Sequence, residues 1–169
     1  MSLTARRLTI ADAPVVRALR LRGLKEHPHD FAADHDDEAP HPPVFWEERL
    51  RDQLWIGVEQ DGALIACASL RVGAGRKLRH NAWVYAMYVV PEAQGTGAAD
   101  VLMEALETEA RAAGATRLKL AVREGNARAE GFYRRRGFIA YGREPDSHVV
   151  AGIAHASLDL CKILAPDKA

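Results

Sequence analysis

Between Val90 and Asp100 the chain reads Pro91-Glu92-Ala93-Gln94-Gly95-Thr96-Gly97-Ala98-Ala99, after a run of β-favouring residues and before a helical apolar pattern. Gly95 and Gly97 let the backbone come close to a ligand and turn several N–H groups inward, while the first free N–H groups of the helix and its dipole point the same way. Such a turn holds a phosphate or pyrophosphate without a lysine; the same residues also serve as a plain strand-to-helix turn. Two nucleotide-binding readings fail on spacing. A dinucleotide fingerprint needs a small residue where Asp100 stands and an acid about twenty residues on, where Lys119, Leu120 and Ala121 stand. No Lys-Ser or Lys-Thr pair follows the glycines, which removes the Walker pattern.

A second block lies downstream: Asn126-Ala127-Arg128-Ala129-Glu130-Gly131-Phe132-Tyr133-Arg134-Arg135-Arg136-Gly137-Phe138. With Gln94, Gly97 and Ala99, and with Met87-Tyr88-Val89-Val90-Pro91-Glu92 ahead of them, this block resembles the GNAT superfamily of acyl-CoA-dependent N-acyltransferases. That family's cofactor loop reads Gln/Arg-x-x-Gly-x-Gly/Ala, and its later block reads Asn-x-x-Ala-x-x-hydrophobic-Tyr-x-x-x-Gly-Phe. The resemblance spans roughly Leu54 to Leu164 and reaches the first fifty residues only in outline.

The resemblance implies acetyl-CoA as cosubstrate and no metal. Backbone groups of Met87, Tyr88 and Val89 would pair with the pantetheine arm as an added strand does, and the N–H groups of Gln94, Gly95, Thr96, Gly97, Ala98 and Ala99 would hold the pyrophosphate. Asn126 and Phe132 would lie on the cofactor side, although Asn126 equally suits the cap of the helix it precedes. Tyr133 would protonate the departing CoA thiolate, and a backbone N–H near Met87 or Tyr88 would meet the oxyanion. Many relatives carry a base as a Glu early in the fourth strand, whereas this chain reads Asn81-Ala82-Trp83-Val84-Tyr85 there. His80, Glu124 or a water relay are the alternatives left open. The three arginines at 134–136 point in different directions on a short helix and single out no phosphate contact.

The elements that must carry these groups follow from periodicity. A short strand over Arg7 to Ile10 precedes a helix opened by Asp12 with Pro14 in its first turn, its inner face drawn from Val15, Val16, Leu19 and Leu24. A short helix over 43–53 places Trp46 and Leu50 on one face. Leu54 to Gln60 and Ala63 to Val72, joined by Asp61-Gly62, make a hairpin. Asn81 to Val90 is a strand; a helix over 98–113 puts Ala98, Val101, Leu102, Ala105, Leu106 and Ala110 inward, with Glu104, Glu107 and Arg111 opposite and Glu109 breaking the apolar sector near its end. Arg117 to Val122 is a strand, Ala127 to Arg136 a helix, and Phe138 to Gly142 and Ala154 to Leu164 strands.

Residues 27–43 hold five acids, four of the seven histidines and four prolines. Their spacing matches no metal template, so they read as a flexible acidic loop whose acids line the mouth of the acceptor site and attract a cationic amine. Cys67 and Cys161 lie in apolar surroundings without metal or redox spacing and read as buried free thiols.

The 169 residues carry 23 basic and 23 acidic side chains, so no long-range field draws the chain to nucleic acid or to a membrane. No apolar run approaches the roughly 18 residues of a span, and Met1 to Arg7 has no signal-like core, which reads as cytoplasmic. The expectation is one α+β domain over 1–169: a mixed, mainly antiparallel central sheet of six to seven strands with helices on both faces. Its expected activity is transfer of an acetyl group from acetyl-CoA to a primary amine on a small molecule or peptide. A non-catalytic acyl-CoA sensor on the same fold and a partner-binding domain with an empty loop are the competing readings, and homodimer formation through an edge strand is a further expectation.

Overall fold

A computed structural model describes residues 2–165. The elements run β1 (Leu3–Arg7), α1 (Ala13–Glu26), α2 (His35–Glu38), α3 (Pro43–Asp52), β2 (Leu54–Gln60), β3 (Ala63–Val72), β4 (Asn81–Val89), α4 (Ala98–Ala112), β5 (Arg117–Arg123), α5 (Ala127–Arg135), β6 (Ile139–Val150) and β7 (Ile153–Ile163). Seven strands form one sheet in the order β1-β2-β3-β4-β5-β7-β6. Every pairing is antiparallel except β4 with β5. The expected α+β architecture is therefore what the chain forms.

The central strands show why helices lie on both faces. Trp55 to Val58 on β2 and Ala66 to Leu70 on β3 are buried without alternation, which requires cover above and below the sheet. Helices α1 and α3 pack on each other and over β2 to β4, and α4 lies across β1 to β4. Trp46 and Leu50, four apart on α3, are both buried, as their spacing requires. Asp61 and Gly62 take φ of 51° and 80°, the two positive angles a tight hairpin turn needs.

Several boundaries differ from the periodicity reading. The first strand is Leu3–Arg7 rather than Arg7 to Ile10, because the Thr9 N–H donates to the Asp12 carboxylate at 2.7 Å and closes a 3₁₀ turn that lifts the chain off the sheet. The same carboxylate takes a fork from Arg6 at 2.7 and 3.0 Å, so Asp12 precedes α1 without capping it by its side chain. Val15 is exposed rather than inward. The acidic segment contains α2, capped by the Asp34 carboxylate accepting from Asp36 N–H at 2.8 Å. Strand β6 continues to Val150, well past Gly142. Its outer edge is open, so residues such as Pro145 are tolerated and no alternation announces the strand.

Glu107, expected on the solvent face of α4, is buried; Lys162 of β7 reaches it at 2.5 Å, Arg111 at 3.3 Å and Arg136 at 3.5 Å. Glu109, the exception in the apolar sector, is held by Arg7 of β1. Cys67 is buried, its thiol pushed up to about 12 by desolvation, whereas Cys161 is only half-buried; both are free thiols.

Candidate active site

Strands β4 and β5 share only three cross-strand partners, Asn81 with Arg117, Ala82 with Leu118 and Trp83 with Lys119, and then part. The cause lies on β4. Ser69 faces Tyr85 and Cys67 faces Tyr88 across the β3 pairing, so two residues, Ala86 and Met87, stand opposite Ala68 alone. Ala86 takes φ of 55°, in the left-handed region that alanine seldom enters. This bulge bends β4 out of the sheet and leaves its far edge unpaired. A cleft of about 1060 Å³ opens there between the two strands.

One mouth of the cleft is the glycine turn. Gly95 and Gly97 take φ of 79° and 91°, and a Cβ at either would meet open space, so backbone conformation and not room calls for glycine. The first bond within α4 runs from Val101 N–H to the Gly97 carbonyl. The N–H groups of Ala98, Ala99 and Asp100 precede it and lie at the positive end of a fifteen-residue helix. Gln94, Gly95, Gly97 and Ala99 line the cleft. Gln94 accepts from Arg128 of α5, which ties the turn to that helix. Thr96 and Ala98 do not line it: the Thr96 hydroxyl and N–H both turn back to the Ala93 carbonyl, at 2.6 and 3.4 Å, and the Ala98 side chain is buried.

The opposite wall is α5. The Asn126 side chain caps it, accepting from Ala129 N–H at 3.1 Å, while also lining the cleft. Tyr133 packs edge-on against Phe132 and Phe138, with ring centroids 5.3 and 5.6 Å away. Its hydroxyl crosses the cleft to the Met87 sulfur at 3.5 Å. Burial pushes that hydroxyl up to about 12, so it stays protonated at neutral pH. Arg136, just beyond α5, pairs with Asp100, Glu104 and Glu107 of α4 and fixes the position of the helix.

Met87 and Val89 line the cleft directly. The Tyr88 ring instead packs against Gly23 of α1, where an added Cβ would lie 2.9 Å from it. Its hydroxyl donates to Glu26 at 2.6 Å, and burial with that carboxylate raises its pKa. Tyr88 therefore offers the cleft its backbone.

Neither side-chain base candidate reaches the cleft wall. Glu124 is clamped by Arg143 at 2.7 and 2.8 Å, which holds its carboxyl below the usual range, and His80 contacts Asn81 at the start of β4. The acids of 27–43 that do reach the cleft are already neutralised: Asp30 by Arg123 at 2.7 Å, and Glu38 by Arg20 at 3.0 Å and Arg49 at 3.3 Å. They do not form a free acidic mouth. Reading along the chain missed the bulge at Ala86 and the partnership of Tyr88 with Glu26, because both depend on which strand or helix lies opposite.

The model of the acetyltransferase (GNAT) family aligns with residues 21–138, the stretch that carries the bulged strand, the glycine turn and Tyr133. The chain belongs to the GNAT family. Solved GNAT structures share its fold over nearly the whole length. A GNAT-family acetyltransferase from Streptococcus pneumoniae aligns with TM-score 0.83 at 19% identity, over 97% of this chain and 100% of that one. A Salmonella typhimurium acetyltransferase solved with its cofactor acetyl-CoA gives TM-score 0.78 at 20% identity, over 100% and 98%. The ribosomal-protein-alanine N-acetyltransferase of Brucella melitensis gives 0.76 at 24%, over 95% and 99%. No curated protein sequence matches the chain. At these identities the structures speak for the fold.

Among the described residues no group of His, Cys, Asp or Glu could hold a metal ion, and no helix is long and apolar enough to cross a membrane.

Proposed function

We propose that the protein is an N-acetyltransferase that moves the acetyl group of acetyl-CoA to a primary amine by direct attack, with Tyr133 as the general acid. The observation that carries this reading is the half-buried Tyr133, its hydroxyl 3.5 Å from the Met87 sulfur across the β4–β5 gap, with the α4 N-terminus at the same cleft. Acetyl-CoA bound in the Salmonella typhimurium relative supports the choice of cosubstrate.

The cradle suits the ligand. Backbone N–H groups at Gly95, Gly97, Ala98 and Ala99 would take the pyrophosphate, with Arg128 and Asn126 beside them. The unpaired edge of β4 from Met87 to Val89 would bond the pantetheine amides as an adjacent strand would. A backbone N–H near Met87 or Tyr88 would meet the carbonyl oxygen as negative charge develops on it.

The amine must arrive unprotonated, against a free value of about 10. With His80 and Glu124 off the cleft wall, water carries that proton away. A carbon–nitrogen bond then forms as the carbon–sulfur bond breaks, Tyr133 gives its proton to the leaving sulfur, and the proton that the nitrogen sheds as it becomes an amide returns through water to the tyrosinate.

Release of CoA from acetyl-CoA across a panel of primary amines tests this directly. Turnover that falls in Tyr133→Phe while acetyl-CoA affinity holds supports the assignment. Saturable acetyl-CoA binding with no CoA release for any amine would replace it with a sensor on the same fold.

A further inference from the structure

The half of the cleft away from the glycine turn holds cations on aromatic faces. Arg71 of β3 pairs with Trp83 of β4, and Trp83 with Lys119 of β5, so the three form one row across the sheet at the last pairing before the strands part. The Arg71 guanidinium stands 5.3 Å from the Tyr85 ring centroid. The Lys119 ammonium stands 5.4 Å from that of Trp83 and 5.5 Å from that of Tyr141 on β6. All five side chains line the cleft. Ring faces position a cation and strip some of its water, yet they leave its charge and its N–H donors unspent. Other cations of this wall are spent: Arg123 on Asp30 and Arg20 on Glu38. Among the described residues, Arg71 and Lys119 make no ion pair.

We propose that the acceptor amine carries a carboxylate, which Arg71 and Lys119 hold while the Trp83, Tyr85 and Tyr141 rings pack on its carbon skeleton. This rests on the acetyl-transfer reading above and names its substrate class. The charge of the anion follows from the same wall. Glu144 and Asp159 also line the cleft without an ion pair among the described residues, and Asp159 acts electrostatically on Tyr141. A dianionic phosphate would be repelled by these carboxylates, whereas a zwitterion satisfies both kinds of group. The order along the strands agrees. Asp159 faces Ala121, two residues past Lys119 toward the splayed end where Met87 and Tyr133 meet. An acceptor with its carboxylate on the Arg71–Lys119 row thus presents its nitrogen toward the reacting end.

The test is CoA release measured on matched acceptors: leucine, methionine, phenylalanine, glutamate, β-alanine and γ-aminobutyrate, each against its carboxamide and its decarboxylated amine. The expected result is a preference for the carboxylate form of about tenfold or more in kcat/KM, the scale of a charge-assisted hydrogen bond. Lys119→Met and Arg71→Met should remove most of that preference and Lys119→Arg should keep it, all three with wild-type acetyl-CoA affinity and thermal unfolding. Neutral amines that match or outrun their carboxylates overturn the inference, and so does a preference that survives both Met variants. If no acceptor in the panel, charged or neutral, turns over while acetyl-CoA still binds, the acceptor inference fails together with the transfer reading, whereas turnover of the neutral amines alone defeats only the acceptor inference. Loss of acetyl-CoA binding in the wild-type protein would remove the parent reading as well.

Discussion

The proposed chemistry rests on one side chain, Tyr133. It is singled out in the chain because Asn126, Ala129, Phe132, Tyr133, Gly137 and Phe138 resemble the later block of the GNAT family. Tyr133→Phe removes the proton and keeps the ring packed on Phe132 and Phe138. Turnover should fall about a hundredfold or more, the usual weight of general acid catalysis, in a steady-state assay. Because burial lifts its pKa to about 12 from an ordinary 10, the hydroxyl stays protonated through neutral and mildly alkaline pH. Ionisation of Tyr133 should therefore produce no falling limb in a pH–rate profile below about 10. The sign for stability follows: the unfolded tyrosine ionises first, so stability is whole below 10 and is lost as pH rises from there through 12. A denaturation series across that range reads it. Other residues were not legible. His80 and Glu124 were near the site in sequence only, and Thr96 turns its polar groups back on Ala93. The Arg71–Trp83–Lys119 row exists only once the register of three strands is known.

Among the elements, α4 and the turn before it do most to hold the site. Gly97 adopts φ of 91°, where a side chain costs about 1–2 kcal/mol in backbone strain. Gly97→Asp adds a negative charge at the positive end of α4, and acetyl-CoA affinity should drop at least tenfold by calorimetry. The far half of α4 is anchored by Glu107, whose carboxylate meets Lys162, Arg111 and Arg136 in a nearly dry setting. Glu107→Ala removes the buried carboxylate that Lys162, Arg111 and Arg136 share, although Arg136 keeps Asp100 and Glu104, and should cost about 3–5 kcal/mol in urea unfolding. Helical period alone set Glu107 among the solvent-facing residues, because a buried acid with cations from three elements looks the same along the chain as an exposed one. The helices and the Asp61-Gly62 hairpin were legible from period and turn chemistry. Strand β6 beyond Gly142 was not, since an edge strand has no second neighbour to impose alternation.

For the whole molecule, the useful feature is a sheet that fails to close. Six strand pairings would make a continuous surface, yet β4 and β5 keep only three partners before the Ala86 bulge parts them, and the cleft follows. Helix α1 is braced to that strand by Glu26 on Tyr88, and Arg22 spans Glu26 and Glu92, so α1 and the segment that leads into the glycine turn are mechanically joined. A ligand bridging both sides should raise the unfolding temperature of the entire chain, and the rise should continue with the logarithm of free ligand beyond Kd. The decisive measurement is isothermal titration of acetyl-CoA into the purified protein, with adenosine diphosphate as the control for phosphate binding alone. The account predicts one saturable site per chain, tighter than for the diphosphate, weakened by Gly97→Asp and unchanged by Tyr133→Phe. Absence of saturable binding at millimolar acetyl-CoA would contradict it.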